Sequence, residues 1–482
     1  MNESLTTEES AKTRARPAAP PWLILWLVCT AQFMVVLDVS IVNVALPSMD
    51  AELGLGPEGL QWVVNGYMLT SAGFLLLGGR AADLFGRRRV FVLGMTLFAL
   101  ASLVGGAATS AGLLVAARVV QGLGAAVISP ATLTILTTSF AEGPYRTKAI
   151  ATWGAVGAVG GAAGSIIGGL LTQTLSWRWI LLINVPFGIA AIVVALRYLA
   201  ESRDNAGRRL DLAGAISVTL GLSALEFGLV RTHDHGWAAP QAFIPIGAGV
   251  VLLALFVLVQ ARFARDPLMP LRVFRVRSVT GAVLVQFLLG AAGFAMWYFL
   301  SLYLQQVQHY TPMQAGLALI PHSLAIVVAA KTTPRLVGRL GFRWLIALGA
   351  LVSAGGFLWQ AQLTPVSGFV TGILLPGILI TGGMGLTFAP MAMAATAGVP
   401  RGEEGLVSGV LNSSRQIGAS VGLAALATIA TAQTATLAGA GTPTAQALTS
   451  GYTHAFTVSA AVTIAGAVVA AIVIPRRAAR AD

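Results

Sequence analysis

The sequence predicts an all-α polytopic membrane protein: two six-helix bundles with an inserted two-helix hairpin, fourteen transmembrane helices in all. Three observations predict it. Of the 482 residues, 56% are hydrophobic and only 10% charged, whereas soluble domains carry roughly 25% charged residues. The hydrophobic residues fall into fourteen runs of about 18–30 residues, each able to cross a hydrocarbon core of about 30 Å as a helix. The basic residues between the runs cluster on alternate loops, as the positive-inside rule requires. Only helices and closed barrels satisfy their backbone in lipid, and runs this long and continuous argue for helices.

In chain order, residues 1–21 form a polar, proline-containing tail, expected to be disordered and cytoplasmic. The first bundle occupies 22–200, with runs at 22–48, 58–79, 90–108, 111–139, 147–173 and 178–198. Its first run is too long for a signal-peptide core and lacks a convincing cleavage site, so it reads as a retained spanner. Residues 201–277 hold two charged linkers and the hairpin, with runs at 211–231 and 241–263. The second bundle occupies 278–475, with runs at 278–306, 312–332, 344–360, 366–393, 404–432 and 453–474. Residues 476–482 are a second cytoplasmic tail.

With the first residue inside, 26 of the 30 Lys and Arg fall on the cytoplasmic side. Only Arg178 and Arg231 fall outside, and Arg118 and Arg415 lie within spanners. Both ends are then cytoplasmic, and the net charge of +12 needs no nucleic acid to explain it. One cysteine, Cys29, excludes an internal disulfide, and no His/Cys cluster offers a metal site. Without a phosphate-binding G-x-x-x-x-G-K-[ST] loop, ATP drive would need a separate subunit. No cofactor is expected.

The first spanner carries an acid, Asp38, inside Leu37-Asp38-Val39-Ser40-Ile41-Val42-Asn43-Val44-Ala45-Leu46-Pro47. An ionised acid at that depth costs about 2.5–3.5 kcal/mol on insertion scales, which points to binding a proton or cation, or to a structural pairing. Helix 2 opens Gln61-Trp62-Val63-Val64-Asn65-Gly66-Tyr67 and helix 4 contains Arg118-Val119-Val120-Gln121-Gly122. The loop after helix 2 reads Gly79-x-x-Ala82-Asp83-x-x-Gly86-Arg87-Arg88-Arg89. Helix 5 carries Gly160, Gly161, Gly164, Gly168 and Gly169, small residues spaced to let another helix approach closely. After helix 10, TPRLVGRLGFRW (333–344) is a weak copy of GGRAADLFGRRRV (78–90), with Gly338 where Asp83 stands.

Together these stretches resemble the major facilitator superfamily, in the fourteen-spanner drug:H+ antiporter family of the EmrB/QacA type. The resemblance covers most of the chain and is densest in helices 1–5. It implies the major facilitator fold in a bacterial cell membrane, with a monomer exporting lipophilic molecules by alternating access on the proton gradient. A transporter of one specific metabolite and a non-transporting sensor are the alternatives. The residue roles it implies are proton coupling at Asp38 and Arg118, and a cytoplasmic latch between bundles at Gly79, Asp83, Gly86, Arg87 and Arg88. It implies an antiporter helix 5 at Gly160, Gly164, Gly168 and Gly169, although Ser165 stands where that family usually has Pro.

Helix arithmetic puts Asp38 about 24 Å above the cytoplasmic start of helix 1, and Arg118 about 10 Å below the outer start of helix 4. Both therefore lie in the outer half of one bundle. Their separation can set when the acid releases a proton, since a cation favours the charged form and burial opposes it; a fixed ion pair is the alternative. For a broad apolar cavity the candidates are Met34, Trp62, Trp153, Phe287, Phe294, Trp297, Tyr298 and Phe388, with Arg415 either lining it or, within Asn412-Ser413-Ser414-Arg415-Gln416, holding helix 13 to its neighbours. Glu226 lies in the hairpin, expected to be peripheral, and His322, beside Pro321, reads as a structural histidine. The expected partners are the bilayer, protons and a lipophilic small molecule.

Overall fold

A computed structural model describes residues 20–141, 143–202, 211–235, 239–264, 267, 269, 271–397, 399 and 404–475. Most of the two tails and of the 201–211 linker, with Arg203, Arg208 and Arg209, lies outside the described residues, as do Arg265 and Arg401. Among the described residues there is no strand. The first bundle is α1 (Pro21–Leu53), α2 (Gly56–Phe85), α3 (Arg87–Gly106), α4 (Ala111–Ser139), α5 (Pro144–Thr174) and α6 (Trp179–Tyr198). The hairpin is α7 (Leu212–His235) and α8 (Pro240–Phe263). The second bundle begins with α9 (Arg277–Val307) and ends with α12 (Phe369–Thr396), α13 (Glu404–Gly439) and α14 (Thr444–Val473).

Between α9 and α12 runs one helical stretch, Pro312–Gln360, of 49 residues. At 1.5 Å per residue it would be about 74 Å long, more than twice the hydrocarbon core. It is broken at Gly341, whose φ of 73° and ψ of 162° are non-helical, so it makes two crossings, α10 (312–340) and α11 (342–360). The first-bundle counterpart is Gly86, at φ 103°, which turns α2 into α3. Gly86 follows Asp83 by three residues and Gly341 follows Gly338 by three, so the weak repeat places a left-handed glycine turn at the same step of both bundles. Only glycine adopts these angles without strain.

Helix starts follow local chemistry. Ser110 accepts the Leu113 amide ahead of α4, and Thr311 with Gln314 forms a reciprocal capping box ahead of α10, with Pro312 in the first turn. Several helices outrun their apolar stretches: α1 continues to Leu53, α10 to residue 340 and α13 to Gly439. The apolar run marks the part in hydrocarbon, while intrahelical bonding continues into water at little cost.

Helix α5 packs along α1 through its glycines. A Cβ on Gly160, Gly164 or Gly168 would stand 2.9 Å from the carbonyl oxygens of Phe33, Leu37 and Ile41 respectively. The two backbones thus meet every four residues, the close approach small residues permit. The helix is unbroken from Pro144 to Thr174, through Ser165. Gly169 faces the other bundle, where a Cβ would come within 2.6 Å of the Pro312 oxygen and 2.7 Å of the Met313 Cα.

Helix α7 of the hairpin is not peripheral, which corrects the sequence expectation for it, whereas α8 packs along α7 and leaves most of its length exposed. Helix α7 runs antiparallel to α2: Arg231 pairs with Glu58 at 3.5 Å and Phe227 packs on Trp62 at 6.4 Å. Further along, a Cβ on Gly73 would lie 3.0 Å from Thr219 Cβ. At the centre Glu226, fully buried, accepts a hydrogen bond from Asn65 Nδ2 of α2 and one from Ser420 Oγ of α13 at 3.1 Å. One carboxyl therefore ties the hairpin to both bundles. Glu226→Gln, which keeps an acceptor, is expected to stay within about 1 kcal/mol of the wild type, whereas Glu226→Leu strands both donors and costs about 1–3 kcal/mol. Thermal unfolding of the detergent-solubilised protein measures both.

Candidate functional site

Asp38 on α1 is completely buried, and its carboxylate collects donors from two other helices. Arg118 Nη1 of α4 donates to Oδ2 at 2.5 Å, while Gln121 Nε2 of α4 and Asn184 Nδ2 of α6 donate to Oδ1 at 2.7 and 3.0 Å. Arg118 Nε donates to the Val63 carbonyl of α2 at 3.0 Å, and Gln121 Nε2 also reaches Ser102 Oγ of α3 at 2.8 Å. Above the guanidinium lies the Tyr67 ring, 4.4 Å from Arg118 Cζ, a cation–π contact. Five helices thus converge on one carboxylate network, and the carboxylate oxygens act only as acceptors when ionised.

The sequence paired Asp38 with Arg118 and missed Gln121, Asn184, Ser102 and Tyr67. A signal existed for Gln121 and Asn184, since an amide inside an apolar run needs a partner. Which partner it takes depends on how the helices are rotated.

Between the bundles lies a cavity of about 1760 Å³. It opens on the face carrying Arg80, Asp83, Arg272 and Arg275, here called the basic face. At the opposite face the bundles touch. Ser301 Oγ donates to the Asn43 carbonyl at 2.8 Å, Gln305 Nε2 to the Val44 carbonyl at 3.0 Å, and Gly169 abuts Pro312. The ion pair does not line this space. It stands behind the wall, and Tyr67, which lines the cavity, separates it from the lumen.

Of the aromatic candidates, Trp153, Phe294, Trp297 and Phe388 line the cavity. Trp153 Nε1 donates to Thr132 Oγ1 at 3.2 Å, and Trp297 stands edge-on to His322, 6.3 Å away. Arg415 also lines it, donating to Asn412 Oδ1 at 3.0 Å. Met34, Trp62, Phe287 and Tyr298 do not, and these are corrections. Met34 is 2% exposed within the core of the first bundle, Trp62 packs on Phe227 of the hairpin, and Tyr298 packs on Phe299. A run buried all round carries no periodicity to show which face meets the lumen. Lining residues outside the candidate set include Tyr67, Met68, Gln286, Met384 and Gln416. His322, fully buried, contacts the Ile373 carbonyl through Nε2 at 3.2 Å.

The expected cross-bundle latch is not formed in this conformation. Arg87 meets Asp83 and Ser202 Oγ, each at 3.3 Å, and the Arg88 amide donates to Glu201 Oε1 at 3.1 Å. All of these contacts stay with the first bundle and the start of its linker, because the cavity mouth holds the second bundle away. Gly79 and Asp83 line that mouth.

Among the described residues, no group of three or more His, Cys, Asp or Glu side chains could hold a metal.

The sequence profile described as Major Facilitator Superfamily matches residues 28–423. The chain is 48% identical to the cephamycin export protein of Amycolatopsis lactamdurans, over 84% of each chain. It is 38% identical to the puromycin resistance protein of Streptomyces alboniger, over 96% of this chain and 93% of that one. In structure it is similar to a POT family transporter, with a TM-score of 0.67 at 15% identity over 94% of this chain and 98% of that one. A D-xylose-proton symporter gives a TM-score of 0.67 at 12% identity over the same shares.

Proposed function

The chain belongs to the major facilitator superfamily, and from that premise we propose that it is a proton-coupled exporter of antibiotic-like molecules from a bacterial cell. It is a multi-pass membrane protein similar to antibiotic export and resistance proteins. The observation that carries the reading is the cavity of about 1760 Å³ between two bundles, open on one face and sealed on the other. A ligand there touches both bundles, and a rocking motion that opens one face closes the other.

Placing the basic face in the cytoplasm puts both termini inside and makes the present conformation inward-open. Asp38 is then the coupling acid. In this conformation it accepts N–H donors from Arg118, Gln121 and Asn184, an arrangement suited to the ionised form from which the proton has left to the cytoplasm. Substrate enters the cavity in this state. In the outward-open state Asp38 takes a proton from outside, its charge is neutralised, and Arg118 is released from the pair. Proton and substrate need only stabilise different states for the two fluxes to be coupled. The protein needs no cofactor beyond the proton gradient, performs no covalent chemistry and works as a monomer in the bilayer.

Inverted vesicles containing the protein test this. Energised vesicles are expected to accumulate a lipophilic dye and to release it when a protonophore collapses the gradient. Accumulation indifferent to the protonophore would exclude proton coupling, and no accumulation at all would favour a narrow-substrate transporter.

A further inference from the structure

We propose that the cavity recognises an organic anion, an amphipathic molecule with a carboxylate, through Arg415. The proposal rests on the exporter reading of this cavity and adds the charge of what it carries.

Among the described residues six charged side chains line the space: Arg80, Asp83, Asp211, Arg272, Arg275 and Arg415. Five lie at helix ends or in linkers on the basic face, and both acids are engaged there. Asp83 is paired with Arg87, and Asp211 accepts from Gln260 Nε2 and from the Gly214 amide at 2.8 Å. Arg415 alone lies deep, eleven residues into α13, about 16 Å from the start of that helix.

Its guanidinium donates to the neutral Asn412 Oδ1. Among the described residues no carboxylate forms an ion pair with it. A guanidinium has five N–H donors, so most of the fork remains available, and the residue is exposed to the lumen. Its backbone is held where α9 crosses α13: a Cβ on Gly290 would lie 3.2 Å from Arg415 Cα. The root is rigid while the head faces the cavity.

An uncompensated cation at membrane depth is expensive, and such residues mark functional sites. Arg118 shows what a structural arginine looks like in this fold: 2% exposed, paired with Asp38 and stacked on Tyr67. Arg415 has none of these. The ligand that best matches its fork is a planar carboxylate, taken in two parallel hydrogen bonds. Gln286 and Gln416 stand in the same lining, beside the apolar surfaces of Phe294, Trp297 and Phe388. A free charge and aromatic rings in one lining fit an amphipathic monocarboxylate.

The test uses 4-(1-pyrenyl)butyrate and its methyl ester, two probes of nearly equal shape that differ in charge. Binding is measured on the full chain in phosphatidylcholine nanodiscs, where no anionic lipid competes. The wild type is expected to bind the acid about tenfold or more tightly than the ester. Arg415→Gln should abolish that preference by weakening acid binding about tenfold or more, while Arg415→Lys should keep part of it. Asn412→Asp supplies a carboxylate beside an intact Arg415 and should abolish the preference too, which covers the case in which Arg415→Gln fails to fold. A wild type without preference overturns the proposal, as does a preference that persists in both charge-cancelling variants. Proton-driven accumulation of the neutral ester reports on the exporter reading separately, so either can fail without the other.

Discussion

Asp38→Asn is expected to abolish proton-driven efflux, reducing it to the level of vesicles without protein. The amide offers one acceptor where the carboxylate offers two, and its own N–H groups would face the donors of Arg118, Gln121 and Asn184. Removing one partner of a buried ion pair costs about 3–5 kcal/mol of stability, so the single variant alone does not separate coupling from folding. The double variant Asp38→Asn with Arg118→Gln does. It removes both buried charges, so neither is left uncompensated, which is the origin of the penalty in the single variant. If Asp38 carries the proton, the double variant regains wild-type thermal stability while transport remains absent. If the pair only ties α1 to α4, transport returns with stability, and the coupling role moves to Glu226, the other fully buried acid among the described residues.

Gly169→Leu is expected to hold the outer face open and stop turnover. Its Cβ would press on the backbone of Pro312 and Met313 at 2.6 and 2.7 Å, where no flexible side chain can yield. Overpacking of this kind costs about 1–3 kcal/mol, which shifts a two-state equilibrium by about 5- to 150-fold. The penalty falls only on the conformation in which α5 and α10 touch. A cysteine replacing Ser71, which lines the cavity, in a Cys29→Ser background provides the readout. Labelling from outside by a membrane-impermeant maleimide should rise in Gly169→Leu and dye efflux should fall at least about tenfold. Gly161→Ala is the control, since a Cβ there meets only Val36 Cγ1, at 3.8 Å. Unchanged outside labelling in Gly169→Leu would mean that this contact is no gate.

The membrane architecture was legible because its physics is one-dimensional. A bilayer imposes a length on every apolar run, and an acid such as Asp38 stands out because its depth follows from counting residues. The Asp38–Arg118 pairing was readable for the same reason, as a match of two depths within one bundle. The break at Gly341 lies between the end of one apolar run and the start of the next.

The rotation of each helix about its axis is different. In α1, Met34 and Asp38 point into the first bundle while Val35, Val36 and Val39 line the cavity. Nothing in an all-apolar run marks that difference, because lipid and protein interior are equally apolar and the helix shows no polar side. The same ambiguity made Trp62 and Tyr298 look like cavity residues and left Glu226 on a hairpin expected to be peripheral.

The sequence by itself determined the succession of apolar helices, the clustering of basic residues on alternate loops and the unusual cost of Asp38, since each follows from counting hydrophobic length and charge along the chain. Only the tertiary structure decided that Glu226 joins the hairpin to both bundles and that Asp38 sits behind Tyr67. It alone left Arg415 without a carboxylate among the described residues, facing an open cavity, because the choice of partners for a polar group depends on which helix faces meet.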